Sequence, residues 1–100
     1  MDKSEVLLRL HDLAPQLLGL GIVRCALFGS FVRNTATESS DLDLLVEFAP
    51  AQKNFSNFMQ VNELLEFCFG RPVDLVTKES LSPFIGPHIL EEAEDVPLHT

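Results

Sequence analysis

The spacing of apolar positions changes several times along the chain, and each change marks an element. Leu7, Leu8, Leu10, Leu13, Leu17 and Leu18 recur at helical spacing, with Ser4 placed to cap the start. Pro15 interrupts this run. A proline inside a helix removes a backbone donor and crowds the preceding turn, so a kink or split is expected near Ala14. Gly19 and Gly21 end the helix, and Ile22–Phe28 (IVRCALF) is a short β-rich run closed by Gly29-Ser30. A helical turn through Arg33 is expected next, followed by a polar loop over 34–40.

Leu42–Phe48 (LDLLVEF) is the clearest strand, and 49–54, which contains a proline, reads as a loop. Within Phe55–Phe69, the residues Phe58, Met59, Val61, Leu65 and Cys68 fall at helical spacing and predict a packed core face. Gly70 caps that helix, and Pro72 precedes a third strand, Val73–Thr77. Residues 81–94 read as helical, with Pro83, Gly86 and Pro87 fragmenting the first half. The order α-β-α-β-α-β-α predicts an α/β or α+β fold, a small mixed β-sheet flanked by helices, as a single domain over residues 1–100.

Composition narrows the function classes. Seven basic residues face 15 acidic ones, a net charge of −8, which disfavours general affinity for phosphate backbones or anionic membranes. The imbalance is local: residues 1–40 carry four bases and four acids, residues 41–100 three bases and eleven acids. The longest apolar and glycine run, 17–23, is far short of the ~20 residues a membrane span needs. Glu5, Arg9, His11 and Asp12 break any signal-peptide core, and two cysteines are too few for a disulfide scaffold. A cytoplasmic protein with reduced thiols at Cys25 and Cys68 is expected.

The candidate chemistry begins at the second strand. Asp41 and Asp43 are two residues apart, so a strand puts both carboxylates on one face. Like charges so placed repel unless a hard cation sits between them, and carboxylate oxygens suit Mg²⁺. On D-x-D alone, a solvated strand start that blunts a sheet edge is the preferred account, because such pairs are common by chance. Gly29-Ser30 lies where the first strand gives way to a helical turn, a geometry that aims backbone N–H groups at an anion. It also suits an ordinary turn with Ser30 as cap. Arg33, one turn on, is placed either to reach a bound phosphate or to face solvent. Asp74 sits in the otherwise apolar third strand, and would join the other carboxylates if the two strands are neighbours.

Taken together, Gly29-Ser30, ten residues, Asp41-Leu42-Asp43 and the later Asp74 resemble the signature of the nucleotidyltransferase superfamily related to DNA polymerase β. The stretches Gly29-Ser30-Phe31-Val32-Arg33 and Ser40-Asp41-Leu42-Asp43-Leu44-Leu45-Val46 are similar to those of the minimal nucleotidyltransferases, MNT proteins. Asn34 departs from the pattern, which has glycine there; asparagine also tolerates left-handed backbone angles.

The resemblance implies the nucleotidyltransferase fold and attack of an acceptor hydroxyl on the α-phosphate of ATP. Two Mg²⁺ ions, ~3.5–4 Å apart, would clamp the attacking and leaving oxygens. Asp41, Asp43 and Asp74 would be the catalytic and metal-binding residues, with Gly29, Ser30 and Arg33 at the nucleotide. Larger relatives add domains to hold the acceptor, and 100 residues leave no room for one. A protein acceptor is therefore expected. MNT proteins are antitoxins of HEPN-domain toxins, all-α ribonucleases, so the implied activity is AMP transfer from ATP to a toxin tyrosine within a hetero-oligomer. The absence of tyrosine here fits an acceptor supplied in trans. Two alternatives stay open: neutralisation by occlusion without catalysis, and nucleotidyl transfer to a small molecule such as an aminoglycoside. Glu91, Glu92, Glu94 and Asp95 read most simply as a solvated face of the closing helix, or else as a patch that meets a basic toxin surface.

Overall fold

A computed structural model describes residues 1–99. Helix α1 (Lys3–Asp12) starts earlier than Ser4 suggests: Asp2 is the cap, its Oδ1 accepting the Glu5 N–H at 2.9 Å. Aspartate and serine cap comparably well, so the side chain with the free amide decides. The chain breaks at Leu13, and Pro15 stands in the first turn of α2 (Ala14–Gly19), where its missing N–H costs nothing. Strands β1 (Ile22–Phe28), β2 (Leu42–Phe48) and β3 (Val73–Thr77) and helix α3 (Phe55–Phe69) occupy the spans their apolar patterns predict. Gly70 ends α3 at φ 63°, the left-handed cap.

The closing segment differs from expectation. Only Gly86–Glu92 is helical (α4); Glu94–Val96 is a fourth strand, β4, paired antiparallel with β1. The four acids therefore share no helix face. Glu92 meets Arg33, Glu94 meets Lys3 at 3.0 Å, and Asp95 meets Arg24 at 2.8 Å, which leaves Glu91 exposed without an ion pair among the described residues. Successive side chains of a strand point to opposite faces, so Glu94 reaches Lys3 of α1 while Asp95 reaches Arg24 of β1, an arrangement that a helical reading hides.

The sheet runs β3-β2-β1-β4, with β1 antiparallel to both neighbours and β2 parallel to β3. Helix α3 supplies the crossover that a parallel pair requires. One sheet face, with Cys25, Leu27, Leu44, Val46 and Leu75, buries against Val6, Leu10 and Leu17 from α1 and α2 and Val61, Leu65 and Phe69 from α3. Burial in that core pushes the Cys25 thiol up to about 12, so it stays an inert thiol. The opposite face is covered more thinly: Ala26, Phe28 and Leu45 pack against Val76, Leu81, Ile89 and Ala93. The acidic side chains emerge beside this thin layer. No helix among the described residues is long and apolar enough to cross a membrane.

Candidate active site

Strand direction assembles the site. Because β2 and β3 are parallel, their N-terminal ends lie side by side, and Asp43 is the register partner of Asp74. Neighbouring strands stand about 4.8 Å apart, so the two carboxylates project from adjacent backbone positions on one face. Because β1 is antiparallel to β2, the end of β1 meets the start of β2, with Phe28 opposite Asp43. Gly29 and Ser30 follow at once, in a single 3₁₀ turn (Gly29–Phe31). The structure thus brings Gly29, Ser30, Asp41, Asp43 and Asp74, far apart in sequence, to one end of the sheet. Asp41 and Asp74 are exposed and Asp43 is half-buried.

Gly29 has φ 78°, and a Cβ built there would run into the Asp43 carboxylate, 2.8 Å from its Cγ. Glycine is thus required twice, for its backbone angle and for the space that Asp43 occupies. Its N–H is already engaged, donating to Glu92 Oε2 at 2.7 Å. Arg33, one turn further on, donates from Nη1 to both oxygens of Glu92 at 2.8 and 3.1 Å. Asn34 adopts φ 59°, the left-handed angle that asparagine tolerates where glycine is the alternative.

The charges at the site are unbalanced. Partial burial, then the carboxylates of Asp74 and Asp41, push Asp43 up from 3.8 to about 6, with Arg33 opposing and Glu92 adding to the rise. This excess negative charge is what a divalent cation would relieve, and the donors are the hard oxygens Mg²⁺ takes. Among the described residues no three His, Cys, Asp or Glu side chains are grouped so as to hold a metal ion by themselves. Mg²⁺ characteristically uses one or two carboxylates and completes its shell with water and substrate phosphates, so Asp43 with a neighbouring carboxylate suffices to fit it.

Two contributors escape motif spacing. Glu92 is one, and in sequence it looks like any surface acid. Arg71 is the other. It donates from Nη1 to the carbonyl of Ser40 at 3.0 Å, directly before Asp41, and its guanidinium lies 5.0 Å from the centre of the Phe31 ring. It joins the Gly29–Phe31 turn, the loop that leads to Asp41, and the start of β3. Its Nε is buried without a hydrogen-bond partner among the described residues. Arg71→Met, which keeps the apolar stem and removes the donors, is expected to cost about 1–2 kcal/mol from the lost hydrogen bond and cation–π contact. Urea unfolding of the two proteins measures this, and an unchanged midpoint would contradict it.

A separate apolar hollow of about 490 Å³, lined by Phe48, Phe55, Phe58 and Leu75 among others, lies toward the C-terminal ends of β2 and β3. The carboxylates stand at the opposite ends of those strands, on an open face.

Comparison with known proteins agrees with this fold. Residues 5–96 match the nucleotidyltransferase domain family. A Methanocaldococcus jannaschii protein, named as a candidate protein adenylyltransferase, is 39% identical over 86 residues, covering 86% of this chain and 91% of that one. The protein adenylyltransferase MntA of Thermococcus cleftensis is 40% identical over 72 residues, 72% of each chain. A solved structure described as a candidate minimal nucleotidyltransferase superposes with a TM-score of 0.81 at 33% identity, over 94% of this chain and 95% of that one. A toxin–antitoxin complex crystallised with AMP-PNP shares the fold, with a TM-score of 0.66 at 20% identity over 84% of this chain and 72% of the other. The chain belongs to the nucleotidyltransferase domain family, in its minimal branch, and is a nucleotidyltransferase.

Proposed function

We propose that the chain is an antitoxin acting as a protein adenylyltransferase, transferring AMP from ATP to a tyrosine of a HEPN-domain ribonuclease toxin with which it forms a hetero-oligomer in the cytoplasm. One observation carries this reading: a glycine turn with no room for a side chain lies directly against Asp43, which is itself paired in register with Asp74. A nucleoside triphosphate held through divalent cations is a ligand that calls for a turn set tightly beside carboxylates. The names of the relatives, protein adenylyltransferase and toxin–antitoxin, supply the acceptor class.

In this reading Ser30 and Arg33 hold the triphosphate, and Gly29 keeps the turn open beside it. Asp41 and Asp43, with Asp74 completing the acceptor side, would hold Mg²⁺, whose chemistry there would be neutralisation of phosphate charge. The toxin's tyrosine oxygen forms a bond to the α-phosphorus as the bond to the β-phosphate bridging oxygen breaks. The phenolic proton passes to the Asp74 carboxylate, which is exposed and stands beside Asp43. The open sheet face leaves room for a macromolecular acceptor to approach.

Intact-mass measurement of the toxin after incubation with this protein, ATP and Mg²⁺ tests the proposal. The expected result is addition of AMP to the toxin, stopped by a chelator of divalent cations and restored by excess Mg²⁺. Neutralisation of the toxin without any mass gain, and unaffected by Asp41→Asn, would mean that occlusion is the mechanism instead.

A further inference from the structure

Glu92 lies 63 residues from Gly29, and motif spacing gives it no part in the site. Yet among the described residues it is the one side chain that bridges the Gly29 backbone and Arg33. Its side chain is 26% exposed against 56% for Arg33, so the carboxylate is the anchored partner and the guanidinium the reaching one. The anchor is α4, seated by Ile89 and the adjoining Ala93 against Ala26, Phe28 and Leu45.

The donors divide in a particular way. A guanidinium carries five N–H groups in a fixed fork. Both contacts to Glu92 use Nη1, which leaves the N–H groups of Nε and Nη2 uncommitted to Glu92. The Gly29 N–H, by contrast, is taken. An unrestrained arginine loses rotamer freedom each time it grips a phosphate, and a carboxylate that holds one of its nitrogens removes that loss beforehand.

We propose that Glu92 is a positioning residue for the nucleotide triphosphate: it pins the Gly29 turn through its amide and presents Arg33 to the β- and γ-phosphates. This rests on the nucleotide site described under Proposed function. Glu92 touches no substrate itself and acts through Arg33 and the turn. A monophosphate lacks the groups that Arg33 would grip, so its binding is insensitive to the bridge.

Calorimetric titration with AMP-PNP and with AMP, both with Mg²⁺, tests this on the parent, Glu92→Gln, Arg33→Ala and the double variant. Glu92→Gln is expected to weaken AMP-PNP about tenfold, the scale of a lost charge-assisted contact, and AMP less than about twofold. The double variant should lose less AMP-PNP affinity than the two single losses combined, because part of the Glu92 effect runs through Arg33. Unchanged or tighter AMP-PNP binding by Glu92→Gln would overturn the proposal, as would equal losses for both nucleotides or additive losses in the double variant. Should Glu92→Gln not fold, Arg33→Lys removes the fork from the other side. It is expected to weaken AMP-PNP several-fold while leaving AMP unaffected, and equal binding of AMP-PNP would overturn the proposal. A parent protein that binds no AMP-PNP overturns the nucleotide site and this inference together. A parent that binds, with a Glu92→Gln variant that binds equally well, overturns this inference alone.

Discussion

Asp43→Asn is expected to yield a protein that is more stable than its parent at neutral pH and that transfers no measurable AMP. The stability arises from the crowding at the site. Folding half-buries Asp43 beside Asp74 and Asp41 and raises it from 3.8 to about 6. The folded protein therefore holds that proton more tightly than the unfolded chain does. The associated stabilisation is fully present below about pH 3.8 and is lost as pH rises through about 6, so above pH 6 the ionised carboxylate opposes folding. Asparagine removes the charge and keeps the shape. With solvent screening at this partly exposed position, the gain is about 1 kcal/mol, or ~5 °C in melting temperature for a chain of this size.

The activity moves the other way. An amide cannot supply the anionic oxygen proposed for Mg²⁺, and removal of a group that stabilises developing charge in a transition state costs at least about 10²-fold. Melting curves at pH 4 and pH 7.5 check the first half: the two proteins should converge at the lower pH and separate at the higher. Toxin mass spectra check the second. A variant that is less stable at pH 7.5, or that retains full transfer, contradicts the assignment of Asp43.

Gly29→Ala is expected to damage both folding and activity. A side chain at φ 78° costs about 1–3 kcal/mol in backbone strain. The added Cβ also meets the Asp43 carboxylate, which has to swing away from Asp74 or push the turn outward. Either movement displaces the proposed phosphate turn relative to the proposed metal ligands, and misplacement by about 1 Å in such a site costs on the order of 10²-fold in rate. Urea unfolding and the transfer assay together distinguish the effects: a protein destabilised yet fully active would show that Asp43 need not lie against the turn.

The elements that the apolar pattern predicts correctly share a cause. Leu42–Phe48 and Val73–Thr77 are mostly buried on their apolar positions, so acids among them can be noticed, but Asp43 and Asp74 gain meaning only in combination with Gly29-Ser30. Gly29-Ser30 is visible for a similar reason, as a break directly after an apolar strand. What escapes depends on distance in sequence. Ser4 and Asp2 are both good caps, and only the geometry of the first turn selects Asp2. The strand at Glu94–Val96 has three residues, too few to show an alternation, and its partner β1 lies near the other end of the chain. Glu92 and Arg71 have ordinary surroundings in sequence, and their importance lies wholly in what the fold places opposite them.

The order of the sheet also sets a clock on synthesis. Its central strand β1 is among the first elements made, yet one of its two neighbours, β4, is the last. Gly29 likewise emerges early, while the carboxylate that receives its amide is translated 63 residues later. Contacts between such distant segments close slowly, because the intervening chain has to be ordered first. A nascent chain carries the whole G-S…D-x-D signature by residue 43, gains Asp74 with the third strand, and lacks the Glu92 bridge until just before β4. The residues proposed for the site are therefore all present only once Glu92 has been made.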